Sequence, residues 1–312
     1  MTLRLLAVHA HPDDESSKGA ATYAYYASRG AHVMVASCTG GERGDVLNQV
    51  LVGHAAASRD MAGWRRIEMA NAQAAMGIDH SWLGFVDSGL PDDGDPLPAN
   101  CFALIPLEHA AAPLVKLIRE FRPQVIVTYD ENGGYPHPDH IRAHQISVEA
   151  FSAAADESRF PELGPVWQVS KLYYDRIFNS RRVNSLYEAV LERDPASPLL
   201  EKLTELRARM SEQPYLATTQ VPCGAFFEHR DRALRAHTSQ VAPESSFFFW
   251  PNDLQRAAWP FEDFQLVTSL VDTRFPETDL FAGINANSTS PANSTSPAGS
   301  AASAQPMEEA SA

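Results

Sequence analysis

Two apolar runs in this chain each lead into a His-Pro-Asp triplet. Leu3-Arg-Leu-Leu-Ala-Val-His-Ala10 runs into His11-Pro12-Asp13, and Gln124-Val-Ile-Val-Thr-Tyr-Asp130 leads, through a glycine-rich turn, into His137-Pro138-Asp139. Runs of this length fit buried strands, and Pro12 ends the first because proline cannot donate the next ladder hydrogen bond. Imidazoles and carboxylates are thereby gathered at the carboxyl ends of two strands, where open α/β sheets place their ligand sites. If the strands are parallel neighbours, both loops open onto one crevice and can share a metal ion.

The rest of the chain supports such a sheet. Helices are expected over 19–29, with Gly30 as cap, over 54–76, with Gly77 as stop, and over 138–155. In the second of these, Trp64, Ile67, Ala70 and Ala74 form the core-facing stripe. Leu114, Val115, Leu117, Ile118 and Phe121 recur at helical spacing, with Pro113 near the start of that helix and Pro123 just past its end. Further strands are expected over 32–38, 81–85 and 169–177. The alternation implies right-handed crossovers and a Rossmann-like, mainly parallel α/β sheet with helices on both faces.

After residue 178 the rhythm changes to helical spacing over 183–211 and 226–239, a helix-rich portion expected to cover the crevice. The expected organisation is one hydrolase domain over 1–282, with a metal-binding core at 1–177 and a covering portion at 178–282. For Phe247-Phe-Phe-Trp250, core packing is the bland expectation and a pocket wall the sharper one. Over 283–312 the hexapeptide Ala286-Asn-Ser-Thr-Ser-Pro291 is repeated at once and almost nothing apolar remains, so a disordered tail is expected.

Charge narrows the partners. With 39 acidic against 25 basic side chains, a net charge of -14 repels phosphate backbones and anionic lipid, so neither nucleic acid nor an acidic membrane surface is an expected partner. The 3 cysteines include no C-x-x-C pair, which argues against a disulfide framework or a cysteine zinc site and for a reducing cytoplasm. The first apolar run is too short for a signal peptide, and no stretch approaches the roughly 20 apolar residues that span a bilayer. Thr39-Gly-Gly-Glu-Arg-Gly44 matches no phosphate-loop spacing and reads as a tight turn or a substrate-facing loop.

A hydrolytic zinc site uses three His or carboxylate ligands and leaves a position for water. His11, Asp14 and His140 supply such a set, with Asp13 beside the attacking water as general base. Tyr135 and His137 are candidates for oxyanion stabilisation, and Asp139 for orienting an imidazole. Two imidazoles and a carboxylate accept Fe(II) as well as zinc. His9 and His144 are expected in the core or behind the ligands, Glu15 at a loop or helix start, and His54, His109 and His229 toward solvent.

Ala10-His-Pro-Asp-Asp-Glu15 together with Gly134-Tyr-Pro-His-Pro-Asp-His140 resembles the paired signatures of the LmbE/PIG-L family of zinc-dependent N-deacetylases, over nearly all of residues 3–283. The stretches 9–22, 39–44, 82–91 and 129–142 resemble most the branch of that family that acts on mycothiol S-conjugates. The resemblance implies a zinc amidase that cleaves the cysteinyl-glucosamine amide. Its products would be an N-acetylcysteine S-conjugate and glucosaminyl-inositol, made in detoxification or antibiotic biosynthesis. It implies the same metal ligands, base and carbonyl-polarising pair as the spacing does, and adds Arg65 and Asp87 as contacts to the sugar-inositol half. Lys18 stands where deacetylating siblings carry a small hydroxyl residue and so favours the amidase. The rivals are a deacetylase acting on N-acetylglucosaminyl-inositol and a non-catalytic carbohydrate binder, against which an intact Asp13 argues.

Overall fold

The computed structural model describes residues 2–92, 94–248 and 250–284. Its first half runs β1 (Arg4–His9), α1 (Asp14–Ser17), α2 (Ala20–Ser28), β2 (His32–Thr39), α3 (Ala55–Arg59), α4 (Met61–Met76), β3 (Asp79–Phe85), α5 (Leu107–Phe121), β4 (Val125–Thr128) and α6 (Pro138–Ala153). The second half runs β5 (Lys171–Asp175), α7 (Ser180–Arg193), α8 (Leu199–Met210), β6 (Thr219–Val221), α9 (Phe227–Ala236), α10 (Asn252–Ala258) and β7 (Glu262–Ser269). The strands form one sheet in the order β3-β2-β1-β4-β5-β7-β6. The first five strands are parallel, whereas β7 is antiparallel to both β5 and β6.

The central strand explains the architecture. Leu5, Leu6, Ala7 and Val8 are all fully buried, so β1 must be covered on both faces. Leu5 and Ala7 pack with Tyr23, Met69, Ala72 and Phe227, while Leu6 and Val8 pack with Leu114, Ile118, Ile146 and Phe151. Each buried leucine contributes roughly 1.5–3 kcal/mol. From β1 the chain crosses to β2 on one side and later to β4 on the other, which makes the β1/β4 boundary the topological switch point. Leu5, Leu6 and Ala7 pair with Val125, Ile126 and Val127, so both His-Pro-Asp loops leave the same edge of the sheet.

Several expectations need correction. The helix expected over 54–76 is broken at Asp60, whose carboxylate accepts from Gly63 N and starts α4 afresh. The face of α4 is also different: Ile67 is 65% exposed, Ala70 and Ala74 face solvent, and Arg65, Glu68, Met69, Ala72 and Met76 are the buried residues. Pro113 lies inside α5, because the buried stripe of Ala110, Ala111, Leu114, Val115 and Ile118 outweighs one missing hydrogen bond. The segment 183–211 divides into α7 and α8 at Asp194, whose side chain accepts from Ala196 N ahead of Pro198.

The portion after 178 does more than cover the crevice, since β6 and β7 extend the sheet and a third apolar cluster forms around Val183, Leu186, Leu203 and Leu254. No helix among the described residues is long and apolar enough to cross a membrane. Apart from Gly283 and Ile284, the tail expected to be disordered lies outside the described residues.

Candidate metal centre

At the switch point the two loops meet. His11, His137 and His140 each bring a ring nitrogen within 4.8 Å of the other two. Asp14 Oδ2 is 3.4 Å from His11 Nδ1 and 3.3 Å from His140 Nε2. All four residues are buried, although more than a hundred positions separate the loops. Asp14 owes its position to α1, a single turn that starts immediately after Asp13. His140 owes its position to the first turn of α6, and Pro138 suits that turn because its missing N–H would have no helical partner.

Hydrogen bonds fix which nitrogen of each ring carries a proton. His140 Nδ1 lies 2.9 Å from the Gly133 carbonyl, which can only accept, so Nδ1 bears the hydrogen and Nε2 presents its lone pair. That Nε2 is buried without a hydrogen-bond partner. His11 Nε2 lies 3.2 Å from Asp139 Oδ2, which likewise only accepts, and this leaves Nδ1 turned toward Asp14. Asp139 in turn accepts from Ser88 N and Ser88 Oγ. His137 differs: its Nδ1 accepts from Asp139 N at 3.1 Å, so the neutral ring keeps its hydrogen on Nε2 and is a donor. Burial, with His11 and His140 nearby, pushes His137 down to about 3.

This donor set fits a divalent cation. Two lone pairs and a carboxylate oxygen converge, and each imidazole is backed by a carbonyl or carboxylate, the usual arrangement around a metal. Burial lowers His11, yet Asp139, Asp14 and Asp87 raise it well above its ordinary range, so a cation held there would take the place of a proton on Nδ1.

Gly133 is part of the arrangement. Its φ is 71°, and a Cβ there would stand 2.6 Å from His140 Cβ. Gly133→Ala should therefore lower metal affinity by about 10–100-fold, the scale of losses around ligating imidazoles, read by chelator competition with the circular dichroism unchanged.

Asp13 sits at the mouth with φ 101°, a left-handed conformation that costs a non-glycine residue on the order of 1–3 kcal/mol. Two neighbours hold it there, Arg65 directly and Glu15 with His237 behind it. Arg65 donates to Asp13 Oδ2 at 2.9 Å and to the Pro12 carbonyl, and Glu15 Oε2 accepts Asp13 N at 2.9 Å. The opposite oxygen of Glu15 accepts from His237 Nε2 at 2.7 Å, with both side chains fully buried. Burial opposes both charges, but their pairing holds Glu15 at about 2 and His237 above its usual range. Burial also raises the carboxyl of Asp13 against the pull of Arg65.

The three residues expected at the substrate are engaged by the protein. Lys18 Nζ donates to Asp14 Oδ1 at 2.6 Å. Arg65 is buried and also donates to the Gly41 carbonyl at 2.9 Å, so it clasps the 39–44 loop. Asp87 accepts from Arg43 N and Gly89 N and lies 3.5 Å from His11 Nε2. The 39–44 loop is thus a tight turn pinned to Asp87 and Arg65. Tyr135 stands at the lip, 47% exposed, with its ring 4.6 Å from that of His140.

His9 is buried against Tyr23 and pushed down to about 4 by that burial, and His144 meets the Tyr129 carbonyl. His54 and His109 face solvent as expected, whereas His229 is half-buried. Two residues near the centre went unread in the sequence. His237 ends α9 without any local signature, and Asp175 at the carboxyl end of β5 is pushed up to about 7 by burial against the pull of Lys18. Position at a strand's carboxyl end was the signal available for Asp175.

Imidazoles with bare nitrogens around a shared carboxylate, at the switch point of a Rossmann-like sheet, mark a metal-dependent hydrolase. The family described as PIG-L, GlcNAc-PI de-N-acetylase, matches residues 6–151. The chain belongs to the PIG-L family. It is 51% identical over 291 residues to a mycothiol S-conjugate amidase of Streptomyces coelicolor, covering 92% of this chain and 99% of that one. It is 40% identical over 291 residues to a 1D-myo-inositol 2-acetamido-2-deoxy-alpha-D-glucopyranoside deacetylase of Catenulispora acidiphila, covering 90% and 89%. Among solved structures, the N,N'-diacetylchitobiose deacetylase of Pyrococcus horikoshii superposes with a TM-score of 0.56 at 17% identity, over 85% of this chain and 83% of that one, a likeness of fold.

Proposed function

We propose that this chain is a zinc-dependent amidase that hydrolyses mycothiol S-conjugates at the cysteinyl-glucosamine amide, releasing an N-acetylcysteine S-conjugate and glucosaminyl-inositol. The observation that carries this reading is the 51% identity, over 92% of this chain, to an amidase of that name, against 40% to the sugar-inositol deacetylase. Lys18 is buried and donates to Asp14, which places its charge beside the proposed metal ligand.

His11, Asp14 and His140 would hold the ion, zinc by preference and Fe(II) by compatibility of the donors. When bound, such an ion lowers the pKa of a water toward neutrality and polarises a carbonyl oxygen. Asp13 takes the proton of the attacking water, its raised carboxyl being suited to both accept and release one. His137, kept neutral, donates its Nε2 hydrogen to the developing oxyanion, and Tyr135 adds its hydroxyl from the lip. Because His137 is kept neutral and has no acidic proton to give up, Asp13, protonated by the attacking water, returns that proton to the leaving amine. Asp139 fixes the ring of His11. In this reading Lys18, Arg65 and Asp87 line the substrate side while holding Asp14, Asp13 and the 39–44 loop in place.

The test compares two substrates of the purified, metal-loaded enzyme: a fluorescent mycothiol S-conjugate and N-acetylglucosaminyl-inositol. The expected kcat/KM favours the conjugate by more than about tenfold, equivalent to 1.4 kcal/mol of transition-state discrimination. The reverse preference would make the chain a deacetylase.

A further inference from the structure

A cavity of about 330 Å3 opens beside α1, bounded by the loop after β5, by α7 and α8, and by Phe247 and Trp250. Ser17 lines it, and Ser17 Oγ donates to the carbonyl of Asp14. Ser17 is three positions beyond Asp14 in the helix, so this part of the cavity wall stands roughly 4.5 Å along the helix axis from a proposed metal ligand. The loop after β5 brings Phe178 to the same carboxyl edge of the sheet that carries the metal centre.

The lining is mixed, with Arg182 and Arg230 among its polar residues, and its apolar part is incompletely covered. Val183 and Leu186 form a buried floor, while Phe178, Leu206, Phe247 and Trp250 keep part of their surface open. Phe178 is 51% exposed. At the rim stand Lys202 and Arg209 with Glu205, an excess of positive charge on a chain whose net charge is -14.

We propose that this cavity receives the S-linked group of the substrate and selects an aromatic or extended apolar group. The inference rests on the amidase reading, in which the scissile carbonyl joins two chemically opposite halves. The sugar-inositol half is covered in hydroxyls and would lose their hydration against an apolar wall. The cysteinyl half ends in a variable thioether substituent, which gains by leaving water. Small-molecule sites span about 300–1,000 Å3, so this volume suits one substituent and is too small for the whole conjugate. Of the residues in Phe247-Phe-Phe-Trp250, Phe247 and Trp250 line the cavity, and Trp250 also packs against the third apolar cluster, so both expectations apply.

The experiment measures kcat/KM of the full, metal-loaded chain for mycothiol carrying an S-naphthylmethyl or an S-methyl group. The naphthylmethyl conjugate is expected to lead by about tenfold or more, as apolar pockets discriminate by such factors. Phe247→Ala, which opens the wall, and Leu206→Trp, which fills the cavity from a half-buried position, should each bring the ratio to within about threefold of unity. A wild-type ratio near unity, or a ratio that both variants leave unchanged, overturns the proposal. A readout without variants covers loss of folding: naphthylmethyl mercapturate should inhibit the wild type competitively at concentrations where S-methyl mercapturate does not, and equal inhibition also overturns it. Failure of the amidase reading looks different, with neither conjugate hydrolysed and N-acetylglucosaminyl-inositol deacetylated.

Discussion

Asp13→Asn is expected to lower kcat by on the order of 10^2–10^4-fold while the purified protein keeps its metal. The substitution preserves shape, so the amide oxygen can still accept from Arg65 and the backbone N–H can still reach Glu15. What disappears is a group able to take a proton from water and hand it to the leaving amine. The metal stays because its proposed ligands are His11, Asp14 and His140. Metal analysis and single-substrate kinetics on the same preparation check both halves, and an undiminished kcat would remove Asp13 from the chemistry.

His140→Ala should act through the opposite route, with metal lost first and activity lost as a result. The variant removes the lone pair that points into the centre and a ring stacked on Tyr129 at a centroid distance of 4.4 Å. Affinity should fall by more than about 100-fold, beyond what changes behind the ligands cost. Titrating excess zinc into the assay separates the two variants. It should recover part of the rate of His140→Ala and none of the rate of Asp13→Asn, and full retention of metal by His140→Ala would refute the assignment.

The parts of this molecule legible from its letters are those governed by local rules. Unbroken apolar runs named β1, β4 and their neighbours, and prolines marked where the runs stop, so the meeting of the two loops followed once the strands were taken as parallel neighbours. Short β6 and the late antiparallel β7 were missed because three residues carry no period, and because the apolar content of β7 reads equally well as helix or strand.

The face of α4 was misread for a more instructive reason. Hydrophobic spacing selected Ile67 and Ala70, but the helix turns Arg65 and Glu68 inward, one to grip the 39–44 loop and the other to hold Ser239 and Thr238. Where buried polar work sets the orientation, apolar periodicity points to the wrong side. The pairing of Glu15 with His237 was illegible for a related reason, since no spacing rule links residues 222 positions apart.

That last contact has a bearing on how the enzyme comes into being. The acid at the mouth is steadied through Glu15 by an imidazole synthesised late, so a ribosome-bound chain that has completed β1 to β5 already carries every proposed ligand yet lacks the brace behind its base. Competence for turnover should then arrive abruptly, when α9 docks and sets His237 against Glu15.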